Sequence, residues 1–361
     1  MIGDFNIQEQ KNKKVAIWLL IGVFMVIVQT LLGGITRLSG SGLSITEWNI
    51  VTGTLPPLNE QQWLEEFGKY QASPQFKYLN SDFSLSDFKY IFFWEWFHRL
   101  WARLIGFVFA IPFIYFLVKK YFTKEMVGPI VGMFVLGALQ GAIGWIMVAS
   151  GLVGDAIYVR PTRLAMHFVM AMILGAYVFW FALKLLIPNN KKVLSGGLKN
   201  LVIFILVLLG IQFVYGALMA GHKAATVAST WPTINGMWVP ENMNQSASGH
   251  YMLENKLTIH FIHRNLAYII SLLVIWFSIR AAKIKVSPIF NKYKYLPVVL
   301  VIIQVSLGVF TLLSSTTIQA NQWRAFETIA LLHQMVAMFL MFSLILQLYL
   351  IQARTKVGNT H

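Results

Sequence analysis

The sequence predicts an all-α polytopic membrane protein in which eight spanning helices form two four-helix halves of the same orientation. Three observations carry this expectation: an apolar composition, eight long apolar runs, and a pattern of glutamine, glycine and histidine that recurs from run to run. Of 361 residues, 57% are hydrophobic and 12% charged, with a mean hydropathy of +0.63, far from the balance of a soluble domain. The chain has no cysteine. Disulfides, thiolate ligands and a thiol nucleophile are thereby excluded, and a bound metal must be held by histidine or carboxylate. The opening stretch MIGDFNIQEQKNKK contains acids and no arginine, so it resembles neither a cleavable signal nor a transit peptide. That favours a bacterial membrane over an organelle.

Runs long enough to cross the roughly 30 Å hydrocarbon core begin near Val15, Ile91, Met126, Thr162, Leu201, Leu257, Tyr295 and Phe326. Cytoplasmic loops collect lysine and arginine. With the N-terminus inside, the inner segments hold 17 Lys and Arg against 3 acids, and the outer ones 12 against 11. The net charge of +15 is thus a topology signal and not a nucleic-acid footprint, and both termini are expected in the cytoplasm. The outer connection between the first two helices, residues 36–90, is long. It opens GGITRLSGSGLSITEW (Gly33 to Trp48), a turn-rich composition. After Pro56 and Pro57, Asn59 can cap a short helix with Gln62 in the capping-box position and Trp63, Phe67 and Tyr70 along one face. This amphipathic piece reads as a lid at the interface. Ser84 and Asp87 form a second cap, leading into FFWEWFHRLWARLIGF (Phe92 to Phe107), the outer end of a helix that carries Glu95, His98, Arg99 and Arg103.

Gln-x-x-x-Gly occurs in alternate helices as Gln29 and Gly33, Gln140 and Gly144, Gln212 and Gly216, and Gln304 and Gly308. Alone, the motif indicates close helix packing through glycine; four copies in odd helices indicate one repeated design. The even helices carry His98, His167, His263 and His333, two of them in an identical dipeptide, His98-Arg99 and His263-Arg264. The intervals also match, 69 residues between His98 and His167 and 70 between His263 and His333. Four helices return the chain to its starting side, so the halves, 1–187 and 199–361, are expected to be parallel repeats about an axis along the membrane normal.

Each histidine lies about five to seven residues from the outer end of its helix, on the order of 10 Å at 1.5 Å per residue. Two imidazoles facing each other at equal depth can take the axial positions of one haem. Zinc or di-iron would need three or four converging ligands, usually with carboxylates; a proton relay is the remaining non-haem alternative. Arg37, Arg99, Arg103, Arg160, Arg163, Arg264 and Arg324 gather on the outer side, where some can pair with propionates. The halves diverge at one position: Glu95 precedes His98 by three residues, whereas His260 precedes His263. That suggests two haem sites of different task, one with an acid/base group beside the iron. Glu95 is expected in that role and not merely as an ion-pair partner of Arg99; His260 is expected to make a hydrogen bond at the membrane surface. His222, His250 and His361 read as solvated.

GGITRLSGSGLSITEW, EWFHRLWARLIG, QGAIGWIMVASGL, RLAMH, GALMAGHKAATVASTWP and HFIHR together resemble the haem A synthase family, over nearly the whole chain. The resemblance implies oxidation of a methyl group of haem O to the formyl group of haem A by successive hydroxylations, for terminal oxidase assembly. It implies a haem b cofactor on His263 and His333 and a substrate-haem site at His98 and His167 with Glu95 as the catalytic acid. Arg99, Arg103 and Arg264 are the nearest candidates for the porphyrin carboxylates. Some members carry a cysteine pair in the first outer loop; this chain resembles the Cys-free subgroup. The expected partners are haem O, haem O synthase, terminal oxidase assembly factors and membrane lipid, with self-association allowed, and the expected place is the bacterial inner membrane with the active site toward its outer face. The competing class is a dihaem cytochrome b-type electron carrier or a haem carrier. Haems at equal depth argue against transfer across the bilayer.

Overall fold

The computed structural model describes residues 2–47, 52–319 and 322–352; Trp48 of the first loop and His361 lie outside them. Among the described residues, eight helices are long and apolar enough to cross a membrane. In chain order the helices are α1 (Ile2–Leu38), α2 (Glu60–Gln71), α3 (Pro74–Leu79), α4 (Leu85–Val118), α5 (Lys124–Ala149), α6 (Pro161–Leu186), α7 (Gly196–Gly221), α8 (Tyr251–Glu254), α9 (Lys256–Ala282), α10 (Pro288–Tyr293), α11 (Leu296–Ser314) and α12 (Ala325–Leu350). The spanning helices are α1, α4, α5, α6, α7, α9, α11 and α12.

Their starts follow local chemistry. Ser84 and Asp87 close a full capping box on α4, and Asn255 accepts from the amides of Leu257 and Thr258 at the start of α9. Pro161 takes the first turn of α6, where its missing N–H costs nothing. The first helix begins at Ile2, well before the apolar run. Its polar opening is rich in good helix formers, carries an internal Gln8–Asn12 hydrogen bond of 2.9 Å, and docks through Lys11 on the Lys120 carbonyl at 3.2 Å.

The centre of the molecule is made by α1, α6, α7 and α12, which pack on one another, with α4 outside α1, α5 outside α6, α9 outside α7 and α11 outside α12. One apolar core runs through both halves, from Leu19 and Met172 to Val202, Val274, Met338 and Leu344. The halves differ at their edges: α9 packs on α11 along its length, whereas α4 and α5 meet through Phe109 and Phe113 against Phe134, at 4.8 and 4.9 Å between ring centroids. A two-residue parallel pair, β1 (Val193–Leu194) with β2 (Ile351–Gln352), ties the connection before α7 to the end of α12; stretches this short carry no periodicity from which to foresee them.

On the first outer loop, Asn59 caps α2 by accepting from the Gln62 amide at 2.9 Å. The Gln62 side chain accepts from Leu58 N at 2.7 Å, one residue earlier than a capping box requires. Phe67 and Tyr70 of α2 pack with Phe88, Ile91 and Phe92 of α4, and Trp63 lies against the same cluster. The amphipathic piece is therefore a cap on the outer end of α4. Burial pushes the Tyr70 phenol up to about 12, so it stays neutral, donating to Gln75 and accepting from Asn80.

A chain without native cysteine makes the topology easy to test. Leu64 on α2 and Val286 between α9 and α10 are both exposed. In intact spheroplasts a membrane-impermeant maleimide should label Leu64→Cys and spare Val286→Cys until the membrane is permeabilised; the reverse pattern would invert the orientation.

Candidate functional site

Each of the four even-helix histidines sits against the glycine of a Gln-x-x-x-Gly motif on its neighbouring helix. A Cβ on Gly33 would lie 3.2 Å from His98 Nε2, on Gly144 2.7 Å from His167 Cε1, on Gly216 3.3 Å from His263 Cε1, and on Gly308 2.9 Å from His333 Cε1. A methyl group at Gly144 or Gly308 would thus collide with the ring, and one at Gly33 or Gly216 would crowd it. One turn inward, the glutamines fix the same histidines. Gln29, Gln140 and Gln212 donate from Nε2 to the carbonyls of His98 (3.2 Å), His167 (3.2 Å) and His263 (3.0 Å). In the fourth copy His333 Nδ1 lies 3.0 Å from the Gln304 carbonyl, and Gln304 Nε2 lies 3.2 Å from His333 Nε2. The motif that sequence spacing assigned to helix packing is therefore the receptacle of the histidines. The Oε1 atoms of all four glutamines are buried without a hydrogen-bond partner.

His263 and His333 face each other with ring centroids 6.4 Å apart and planes inclined by 72°. His98 and His167 occupy the corresponding receptacles on α4 and α6.

Glu95, 3% exposed, lies one turn outward of His98 and is enclosed by the first outer loop. Its Oε2 accepts from Ser44 N (2.7 Å), Ser44 Oγ (2.7 Å) and Ile45 N (3.0 Å). Its Oε1 accepts from Arg99 Nη2 at 2.6 Å. The ion pair that the sequence argument set aside is present. Its physical cause is the fold of residues 39–47 over the helix end, which removes the carboxylate from water and requires that its charge be matched. Arg99 also donates to the carbonyls of Ile45 and Glu47, each at 3.2 Å.

The second half repeats half of this device. The 183-residue offset from Gly33 to Gly216 carries Glu47 onto Thr230, and Arg264, next to His263, donates to the carbonyls of Thr230 (3.0 Å), Pro232 (3.1 Å) and Thr233 (3.0 Å). Arg99 and Arg264 thus share one clamped loop position, Glu47 in the first half and Thr230 in the second, and the donors assigned from sequence to porphyrin carboxylates are spent at least partly on backbone. His260 departs from expectation: it is 3% exposed, and its Nδ1 is buried with no hydrogen-bond partner, because no loop amide meets it as Ser44 and Ile45 meet Glu95.

The other outer residues scatter. Arg163 bonds the Ile146 carbonyl at 3.0 Å, Arg324 the side chain of Gln322 at 2.7 Å, and Arg160 is exposed. Arg103 is half-buried on α4, one turn inward of Arg99. Arg37 reaches the Ala220 carbonyl, a contact no sequence signal announced. Of the loop histidines, His250 is exposed, and His222 lies 2.8 Å from the Leu253 carbonyl.

Eight apolar helices among the described residues, with four histidines on glycine receptacles and two of those rings close together, define a polytopic membrane protein that gathers paired imidazoles between its helices. The family model for COX15-CtaA, cytochrome oxidase assembly protein, matches residues 16–345, and the chain belongs to this family. It is 39% identical to a heme A synthase of Flavobacterium psychrophilum, over 92% of this chain and 96% of that one. It is 43% identical to a heme A synthase of Wolbachia pipientis, over 83% and 85%, and 44% identical to one of Rhodospirillum centenum, over 73% and 71%.

The receptacles predict a graded response to a single methyl group. Gly144→Ala and Gly308→Ala should each destabilise by about 1–3 kcal/mol, the usual cost of overpacking, and Gly216→Ala by less. Thermal unfolding of the purified variants in detergent checks the order, and equal melting temperatures for all three would contradict it.

Proposed function

We propose that the chain is a haem A synthase: an oxidoreductase that converts a methyl group of haem O to the formyl group of haem A by successive hydroxylations, for assembly of a terminal oxidase. The observation that carries this proposal is the pairing of two like histidine sites, of which only the first has a buried carboxylate one turn outward of its histidine, Glu95 before His98, where His260 precedes His263. Family membership and the three relatives support the substrate. Haem O synthase as supplier, and an inner-membrane position with the sites toward the outer face, belong to the same proposal.

His263 and His333 are assigned to a haem b cofactor held by the second half, 199–361. Two imidazoles on opposite sides of one metal, at about 2 Å per metal–nitrogen bond, have ring centroids roughly 6 Å apart; the 6.4 Å separation fits this. The Gln304 carbonyl at Nδ1 of His333 is the kind of partner that fixes the tautomer of a metal-bound histidine and leaves Nε2 to coordinate. The Gln304 amide, 3.2 Å from that Nε2, then has to turn aside. Bound there, haem b supplies one-electron redox chemistry.

The first half, 1–187, is assigned to the substrate. His98 and His167 position the porphyrin of haem O, and α4 and α5, which meet through Phe109, Phe113 and Phe134, pack less closely than α9 and α11 do, which suits a substrate with an apolar body that enters from the membrane. Glu95 has two tasks. It anchors residues 44 and 45 over the site, excluding water, and it holds a carboxylate one turn from His98 that can take or return a proton at Oε1. Arg99 keeps that carboxylate oriented.

Replacing His263 or His333 with alanine should remove the tightly bound haem b and, with it, the stability a native-state ligand confers. Purified His263→Ala with a six-coordinate haem b spectrum at full occupancy would refute the cofactor assignment. Glu95→Gln keeps the shape and the loop amide contacts but loses the charge. Haem b content should stay near normal while formyl product falls by roughly 10²-fold or more. Haem A formation near the wild-type rate would reduce Glu95 to a loop anchor.

A further inference from the structure

Arg37 stands at the last turn of α1, four residues and so one turn outward of Gly33, the receptacle of His98. Its Nη2 donates to the carbonyl of Ala220 on α7, and Ala220 is one turn outward of Gly216, the receptacle of His263. The 183-residue offset that maps Gly33 on Gly216 also maps Arg37 on Ala220. The arginine therefore bonds the position that is its own counterpart in the other half, at the outer level where the two halves meet. Its neighbours Leu32 and Thr36 are buried, whereas Arg37 itself keeps accessible surface. Among the described residues no ion pair involves it. A guanidinium carries five N–H donors, and one backbone carbonyl occupies one of them. The remaining donors keep access to the outer side, where they are available to an anion that comes to this level.

Arg99 and Arg264 fit the role of carboxylate binder less well, because each is committed to two or three loop carbonyls. Arg37 has a free fork, lies on the outer side of the histidine level, and is held by α7, the helix against which His263 packs. We propose that Arg37, a residue of the first half, binds a carboxylate of the porphyrin held by His263 and His333, and so completes the cofactor site of the second half. The planar fork of arginine suits a carboxylate in two-point contact. The contact with Ala220 then serves to aim the guanidinium, and it places one side chain between the two porphyrin sites, so that cofactor and substrate halves share a bonded element.

This proposal rests on the assignment of the C-terminal histidine pair to haem. Its test is the R37Q variant of the full chain, purified in detergent with its native haem. Glutamine removes the charge and the fork and falls short of the Ala220 carbonyl, whereas lysine keeps a charged donor that reaches nearly as far, so the two variants together separate a tie between helices from a carboxylate contact. Two quantities are read: the rate at which haem passes to excess apomyoglobin, and the midpoint potential of the bis-histidine haem. R37Q should release haem roughly tenfold faster, the scale of one hydrogen bond to a charged group. Its potential should fall, because removal of a nearby positive charge favours ferric iron. R37K, which keeps the charge on a single donor point, should hold the potential near wild type while still releasing haem faster. R37Q with wild-type release and potential overturns the proposal. If R37Q fails to fold, R37K decides, and wild-type release from R37K overturns it equally. A wild-type protein without any bis-histidine haem overturns the haem assignment itself, whereas haem-replete wild type with an indifferent R37Q overturns only the role of Arg37.

Discussion

The structure depends on a packing constraint: an imidazole inside a membrane helix bundle must lie against backbone, and only glycine allows it. A polar ring left in hydrocarbon is costly, and a ring free to rotate cannot present one chosen nitrogen to a ligand. The four receptacles meet both demands. Glycine brings the facing helix within van der Waals distance of the ring, and glutamine one turn inward fixes the helix carrying it, through the histidine carbonyl in three copies and through the ring in the fourth. Because each receptacle joins an odd helix to the even helix after it, the same constraint that orients the ligands also sets the order in which the helices pack.

Much of this was legible in the sequence, and the boundary between what was and was not is physical. Apolar length and the capping chemistry of Ser84 and Asp87 located the helices, because these are local properties. The histidine repeat was legible because duplication preserves spacing. What the glutamines and glycines do was not, since a Gln-x-x-x-Gly has the same local signature whether it packs a helix or seats a ring on another one. The Glu95–Arg99 ion pair was weighed at i,i+4 spacing and set aside; what escaped was the loop that makes it necessary, because residues 44 and 45 carry no pattern that points back to α4. His260 misled for the complementary reason: exposure depends on how residues 224–237 cover the end of α9, and that covering is tertiary.

The two halves share a scaffold and differ in what closes it. In both, the arginine after the first histidine clamps the outer loop through backbone carbonyls. In the first half a carboxylate is added, and it draws two loop amides and a hydroxyl onto a single oxygen. In the second half the corresponding position is a buried histidine whose Nδ1 is unmatched. The first half is also packed less closely between α4 and α5, which meet through Phe109, Phe113 and Phe134, than the second is between α9 and α11. A closely packed half with no carboxylate one turn from its first histidine suits a resident cofactor, and a looser half with one there suits a substrate that must enter, react and leave. The division of labour proposed above would follow from these local differences imposed on one repeated frame.

The central claim is that the two histidine pairs hold porphyrins of different fate. Extracting the pigments from the purified wild-type protein and separating them by chromatography tests it most directly. Haem b together with haem O and its hydroxylated or formylated products is the predicted composition. Haem b alone, at two equivalents per chain and unchanged after incubation with haem O, would mean that both halves hold cofactors and that the protein carries electrons.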